Sequence, residues 1–305
     1  MALSFYVKLR QKLYNWLTYD PPSKEMMPYD FNRLKYEIRP GDVLLIEGRS
    51  RISSIIRTIT QSPWTHAGLY IGRLVDFEDE EIKELIRKHV GPDIKDNTRL
   101  IIEDLIDKGT TLSPLTIYRD HHIRICRPIG ITPTDLHLVI SYAVKALGQP
   151  YNVRHMVDLA RFLLPWSILP RRWGSSLFRT SSRTESGICS SLIAEAFTSV
   201  QFPILPFVMP HKEEGLEVFQ RNTHLYTPKD FDYSPYFDII KYPLFNPDEP
   251  LPYYRRLPWT RSGMIHQDHG VLSGPEIPRK RRIFGKSKDE PEVPPEKNEP
   301  PANQD

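Results

Sequence analysis

Cysteine is nearly absent from this chain: Cys126 and Cys189 are the two among 305 residues. Two thiols cannot build a disulfide framework. That fits a reducing compartment, or a thiol kept free for chemistry. No apolar run reaches the roughly 18 residues that a spanning helix needs. A secretory leader is not expected either, because Lys8, Arg10 and Lys12 interrupt any apolar stretch and no small-residue cleavage site follows. The expected location is the cytoplasm, with peripheral attachment to a membrane left open. Glycine is scarce, 15 residues against 29 prolines, and no internal repeat is visible. The formal net charge of +3 is close to balance, so bulk electrostatics give no argument for a nucleic-acid partner. His121 and His122 are adjacent, but no other ligands follow at metal-site spacing. No metal and no cofactor are expected.

Against these absences, one stretch carries chemistry: Ser186-Gly187-Ile188-Cys189-Ser190-Ser191-Leu192-Ile193-Ala194-Glu195-Ala196-Phe197. It reads as a helix with Ser186 as N-cap, Cys189 in the first turn and Leu192, Ile193, Ala196 and Phe197 on a buried face. A thiol there meets the positive end of the helix dipole, which favours thiolate over a free thiol of pKa about 8.5. Unpaired backbone N–H groups at the same place can hold an oxyanion. The competing reading is a small buried core residue.

The rest of the chain supplies possible partners. Pro40-Gly41-Asp42 is a turn into the strand Val43–Glu47, followed by a helix from Arg51 to Thr60 that Ser62-Pro63-Trp64 ends. Residues 65–72 form a second strand, with His66, Gly68 and Tyr70 on one face and Ala67, Leu69 and Ile71 on the other. The bare Gly68 leaves room for a group to approach the His66 imidazole. A helix is expected from Glu80 to Lys88. Arg99–Ile106 is a third strand, with Glu103 and Asp104 on opposite faces. Either carboxylate orients a catalytic group, or an edge strand turns it to water. Thr116–Arg127 reads as a strand with Cys126 as core filler. Thr132-Pro133 opens a helix that Gly148 stops. Residues 202–207 are apolar and irregular, Thr227–Phe231 is a capped turn, and Tyr236–Tyr242 is a last strand.

Two segments bear on membranes. Residues 3–17 place Tyr6, Leu9, Leu13, Trp16 and Leu17 on one helical face and basic residues largely on the other, either an interfacial helix or one docked on the domain. The apolar segment at 154–185, flanked by Arg154, Arg171, Arg172 and Trp173, is either a lid or a packed helix pair.

Pro40-Gly41-Asp42-Val43-Leu44-Leu45, Thr65-His66-Ala67-Gly68-Leu69-Tyr70-Ile71-Gly72, Ile101-Ile102-Glu103, Arg127-Pro128, Gly148-Gln149-Pro150-Tyr151, Cys189-Ser190 and Pro228-x-Asp230-Phe231 occur in an order that resembles the permuted branch of the NlpC-type papain-like cysteine hydrolases, and within it the YiiX-like group. In that branch the histidine strand precedes the cysteine helix. The resemblance implies an α+β fold, a small antiparallel sheet or half-barrel packed against the cysteine helix. It implies Cys189 as nucleophile, His66 as base and Glu103 as the third polar residue, with Tyr151, Ser190 and Tyr70 in contact with substrate. The family often has an acid where Ser191 stands and Asp where Asn152 stands.

The expected organisation is an N-terminal helix and proline-rich connector at 1–36, the hydrolase domain at 37–246 with its insert at 154–185, and a Pro- and charge-rich, disordered tail at 247–305. The expected activity is thiol-dependent hydrolysis or acyl transfer at an amide or ester carbonyl, through a Cys189 thioester. The partner is a lipid or peptide substrate, with an anionic membrane surface as a further one. Relatives in this superfamily point also to cleavage of cell-wall peptides, and a non-catalytic binding protein on the same fold is the reading from another class.

Overall fold

A computed structural model describes residues 12, 15–22, 29–91, 94–106, 108–150, 189–211 and 215–243, with two short strands at 265–266 and 270–271. The chain divides into two units, 1–246 and 247–305. In the second unit, Ile265–His266 pairs with Gly270–Val271. Most of the N-terminal helix read at 3–17, the N-cap Ser186, Tyr151, the segment 154–185 and most of the tail lie outside the described residues.

The first unit is built on a six-stranded antiparallel sheet in the order β4-β3-β2-β1-β5-β8. Its strands are β1 (Val43–Glu47), β2 (His66–Arg73), β3 (Arg99–Leu105), β4 (Gly109–Pro114), β5 (His122–Pro128) and β8 (Phe237–Ile240). A separate hairpin joins β6 (Phe207–His211) to β7 (Gly215–Phe219). The architecture is the expected α+β one.

Period-two alternation divides the sheet's side chains between two cores. Ala67, Leu69, Ile71 and Ile102 face one side with Val139, Val144, Leu192, Ile193 and Phe197 from the helices Pro133–Lys145 and Cys189–Ser199. Leu44, Ile46, Tyr70, Ile101 and Ile125 face the other, against Phe31, Leu34 and Ile38 from the helix Phe31–Glu37 and its C-cap. Each fully buried Leu, Ile or Phe in these layers contributes about 1.5–3 kcal/mol.

The helix Arg51–Thr60 has the bounds read from the sequence; Ser50 caps it, and it stops where Gln61 takes a left-handed φ of 52°. Thr132 caps Pro133–Lys145, with proline in the first turn. The Pro40-Gly41-Asp42 turn also gains a physical reason. Arg127 grips Asp42 through both carboxylate oxygens, Nε to Oδ1 at 2.9 Å and a terminal nitrogen to Oδ2 at 2.8 Å, while the Arg39 N–H donates to Oδ2 at 2.8 Å. Asp42 is buried, so the fork ties β1 to β5 where the sheet begins.

Other expectations are corrected. β3 is not an edge strand: it lies between β2 and β4, and both its carboxylates are buried. β4, which the sequence reading passed over, covers that edge. The strand expected from Thr116 starts only at His122, because Leu115–Tyr118 forms a 3-10 turn first. Residues 31–37, read within a connector, are helical and pack into the second core. The irregular stretch at 202–207 leads into the β6–β7 hairpin.

Removing one partner of the Asp42–Arg127 pair leaves a half-buried guanidinium without its carboxylate. Asp42→Ala is expected to lower stability by about 3–5 kcal/mol in urea denaturation. A loss below about 1 kcal/mol would place this pair with surface salt bridges and contradict its structural role.

Candidate active site

The site is assembled from neighbouring strands. In the β2–β3 ladder Gly68 stands opposite Glu103, which puts His66 and Glu103 diagonally adjacent on one face. His66 Nε2 lies 2.6 Å from Glu103 Oε2. A Cβ at Gly68 would meet Glu103 Cβ at 3.8 Å and Ile102 O at 3.5 Å, ordinary contacts. The group that approaches the imidazole past this bare position is Glu103. The alternative left open by the sequence is thereby resolved in geometry: Glu103, not Asp104, meets His66.

Glu103 has no exposed surface, while the His66 side chain keeps 18%. Burial alone would raise the Glu103 pKa; the hydrogen bond and charge of His66, helped by the nearby Ser113 and Tyr118 hydroxyls, reverse this and hold it below its ordinary value. An ionised carboxylate only accepts hydrogen bonds, so the hydrogen between the two groups belongs to Nε2. In the neutral form of such a ring the other nitrogen, Nδ1, is the basic one.

Tyr118, which the sequence reading did not single out, donates its hydroxyl to the same Oε2 at 2.5 Å. Its ring lies 6.1 Å from the His66 ring, centroid to centroid. It ends the 3-10 turn after β4, so its position depends on a strand that the sequence did not reveal. No local pattern marked it.

Asp104 points to the opposite face of β3. It is 3% exposed, and its Oδ1 accepts the Thr110 hydroxyl at 2.5 Å while Oδ2 has no hydrogen-bond partner. Burial, with the charges of Glu195 and Glu103 adding to it, pushes its pKa up to about 6, although Thr110 and His66 pull the other way.

Cys189 is the first residue of the helix Cys189–Ser199, as expected, and this helix packs against β2 and β3, the strands that carry His66 and Glu103. Leu192, Ile193, Ala196 and Phe197 are its buried face. Ser190 is 0% exposed and donates its hydroxyl to the Tyr226 carbonyl at 2.7 Å. Tyr70 is buried in the second core. Cys126 is a fully buried core residue whose thiol burial pushes up in pKa, far from reactive.

With this geometry in place, comparison with known proteins shows a family likeness. The family of permuted papain-like amidase enzymes, YaeF/YiiX, C92, matches residues 37–162, a span that includes His66, Glu103 and Tyr118. That is a family of cysteine hydrolases, and residues 37–162 of this chain are similar to it. Among solved structures, the metalloprotein yiiX from Escherichia coli O157:H7 is similar at 13% identity, over 67% of this chain and 97% of that one, with a TM-score of 0.41. No curated protein matches the chain. Among the described residues, no three His, Cys, Asp or Glu side chains gather so as to hold a metal ion.

The Asp104 shift has a sign that can be tested. A carboxyl raised from an ordinary value of 3.8 to about 6 on folding adds stability in its protonated form; that contribution is complete below 3.8 and lost as pH rises through 6. Asp104→Asn is therefore expected to gain stability relative to the parent between about pH 4 and pH 7, by at most about 3 kcal/mol. Thermal melts at pH 4.5 and 7.5 read the difference. An equal gap at both pH values would contradict the buried, unpaired environment.

Proposed function

We propose that this protein is a thiol amidase in which Cys189 is the nucleophile, His66 the general base and acid, and Glu103 the residue that fixes the imidazole. The supporting observation is the buried Glu103–His66 contact of 2.6 Å between neighbouring strands.

The chemistry follows from these roles. Proton transfer from Cys189 to His66 Nδ1 gives a thiolate–imidazolium pair, which the ionised Glu103 stabilises through Nε2. The thiolate attacks an amide carbonyl carbon, and the carbonyl π electrons move to oxygen. Backbone N–H groups at the start of the cysteine helix are suited to stabilise that oxyanion. The C–N bond breaks as His66 protonates the leaving amine, and a thioester remains. Water then attacks the thioester while His66 takes its proton. The acid is released and the thiol regenerated. An alcohol or amine in place of water would make the same intermediate an acyl donor.

An amide is the substrate class closest to the matched family. A peptide and a fatty-acyl chain both present such a carbonyl. Action at a membrane surface on a lipid acyl group is the finer reading, and it rests on the amphipathic residues 3–17 and the apolar segment 154–185.

The thiol reports on this reading directly. Iodoacetamide near neutral pH is expected to alkylate Cys189 at least about tenfold faster than Cys126, and His66→Ala is expected to slow Cys189 by a similar factor. Peptide mapping by mass spectrometry separates the two sites. Equal, slow labelling of both cysteines would contradict a catalytic thiol and favour a binding protein on the same fold.

A further inference from the structure

Glu103 Oε2 accepts two hydrogen bonds, from His66 Nε2 at 2.6 Å and from Tyr118 at 2.5 Å. The two donors come from different elements, β2 and the 3-10 turn Leu115–Tyr118, and converge on one oxygen. The Tyr118 hydroxyl withdraws charge from that oxygen, because a hydroxyl that donates to a carboxylate stabilises its ionised form.

We propose that Tyr118 is a positioning residue of the thiol reaction, which acts through Glu103 to limit how strongly the carboxylate holds the His66 imidazolium. The proposal rests on the reading of His66 as the base that serves Cys189. Tyr118 acts through Glu103 and needs no contact with substrate. Its hydroxyl sets a balance. A carboxylate bare of this donor would bind the imidazolium more tightly, and a tightly held proton is returned to the leaving group less readily.

Other titratable groups surround this arrangement and remain in place when the hydroxyl is removed. Asp104 lies across β3 from Glu103 and interacts electrostatically with His66. His121 meets the Tyr118 ring edge-on at 5.3 Å, and its Nε2 pairs with Asp20 at 2.5 Å. Asp120 and Arg119 follow Tyr118 at the surface. Tyr118→Phe keeps the ring and removes the hydroxyl that donates to Glu103.

The test is a pH titration of the His66 ring by NMR in the full chain labelled at histidine, with the resonance assigned by its loss in His66→Ala. Tyr118→Phe is expected to move the His66 midpoint upward by about half a pH unit, since the carboxylate beside it is less neutralised. Its thermal midpoint is expected to stay within a few degrees of the parent, because the apolar ring is retained. A His66 midpoint that is unchanged or lowered would overturn the proposal, whatever the stability of the variant. Glu103→Gln is expected to lower the same midpoint; if it does not, the His66–Glu103 pairing is wrong and the Tyr118 role falls with it. Failure of the parent reading looks different: Cys189 alkylation would be indifferent to His66→Ala while the Tyr118→Phe shift persisted.

Discussion

A carboxylate with no exposure to water must be repaid by partners, and Glu103 draws them from two neighbouring elements. Several kcal/mol of desolvation stand against such a charge. The β2–β3 register answers it by setting Gly68 opposite Glu103 and His66 on the diagonal. β4 answers it by closing the edge of β3 and by leading into the turn that brings Tyr118 across. The sheet order, the short turn and the Glu103–His66 contact are thus one arrangement. A one-residue slip between β2 and β3 would send Glu103 to the other core and leave His66 beside an apolar side chain.

The adjacent residue meets different partners. Asp104 enters the opposite core with a single hydroxyl donor and no cation in contact, and its proton affinity rises. Two carboxyl groups next to each other in sequence therefore carry opposite perturbations, one lowered and one raised. The difference comes from the face that each one occupies. Glu103 meets an imidazole, and Asp104 meets Thr110 and the charge of Glu195 on the cysteine helix. This separation places Glu103, and not Asp104, against the His66 imidazole.

Much of this was legible before any coordinates. The spacing of Leu192, Ile193, Ala196 and Phe197 is helical and needs no tertiary information, and Thr132-Pro133 and Gly148 bracket a helix by local chemistry. Alternation along 65–72 separates His66 from Ala67 correctly. The choice between Glu103 and Asp104 was not legible, because alternation says that they diverge but only pairing with β2 says which one meets His66. β4 was hidden because Thr110, Thr111 and Ser113 between a glycine and a proline have the composition of a loop. Tertiary pairing overrides that weak preference. Tyr118 was missed for the same reason, since a 3-10 turn of β-branched and aromatic residues reads locally as strand. The β6–β7 hairpin was obscured by Pro210, which is tolerated there because the hairpin is a two-stranded sheet with open edges.

The central claim is that the Glu103–His66 pair serves a thiolate at the start of the cysteine helix. Its most direct test is to trap the intermediate. The protein would be mixed with a pool of peptidyl and fatty-acyl p-nitrophenyl esters, quenched in acid, and weighed intact before peptide mapping. The account predicts a single acyl adduct on Cys189 that is absent from His66→Ala, and the acyl group that accumulates separates peptide from lipid substrates. No adduct in the parent, or an equal adduct in both proteins, would contradict it.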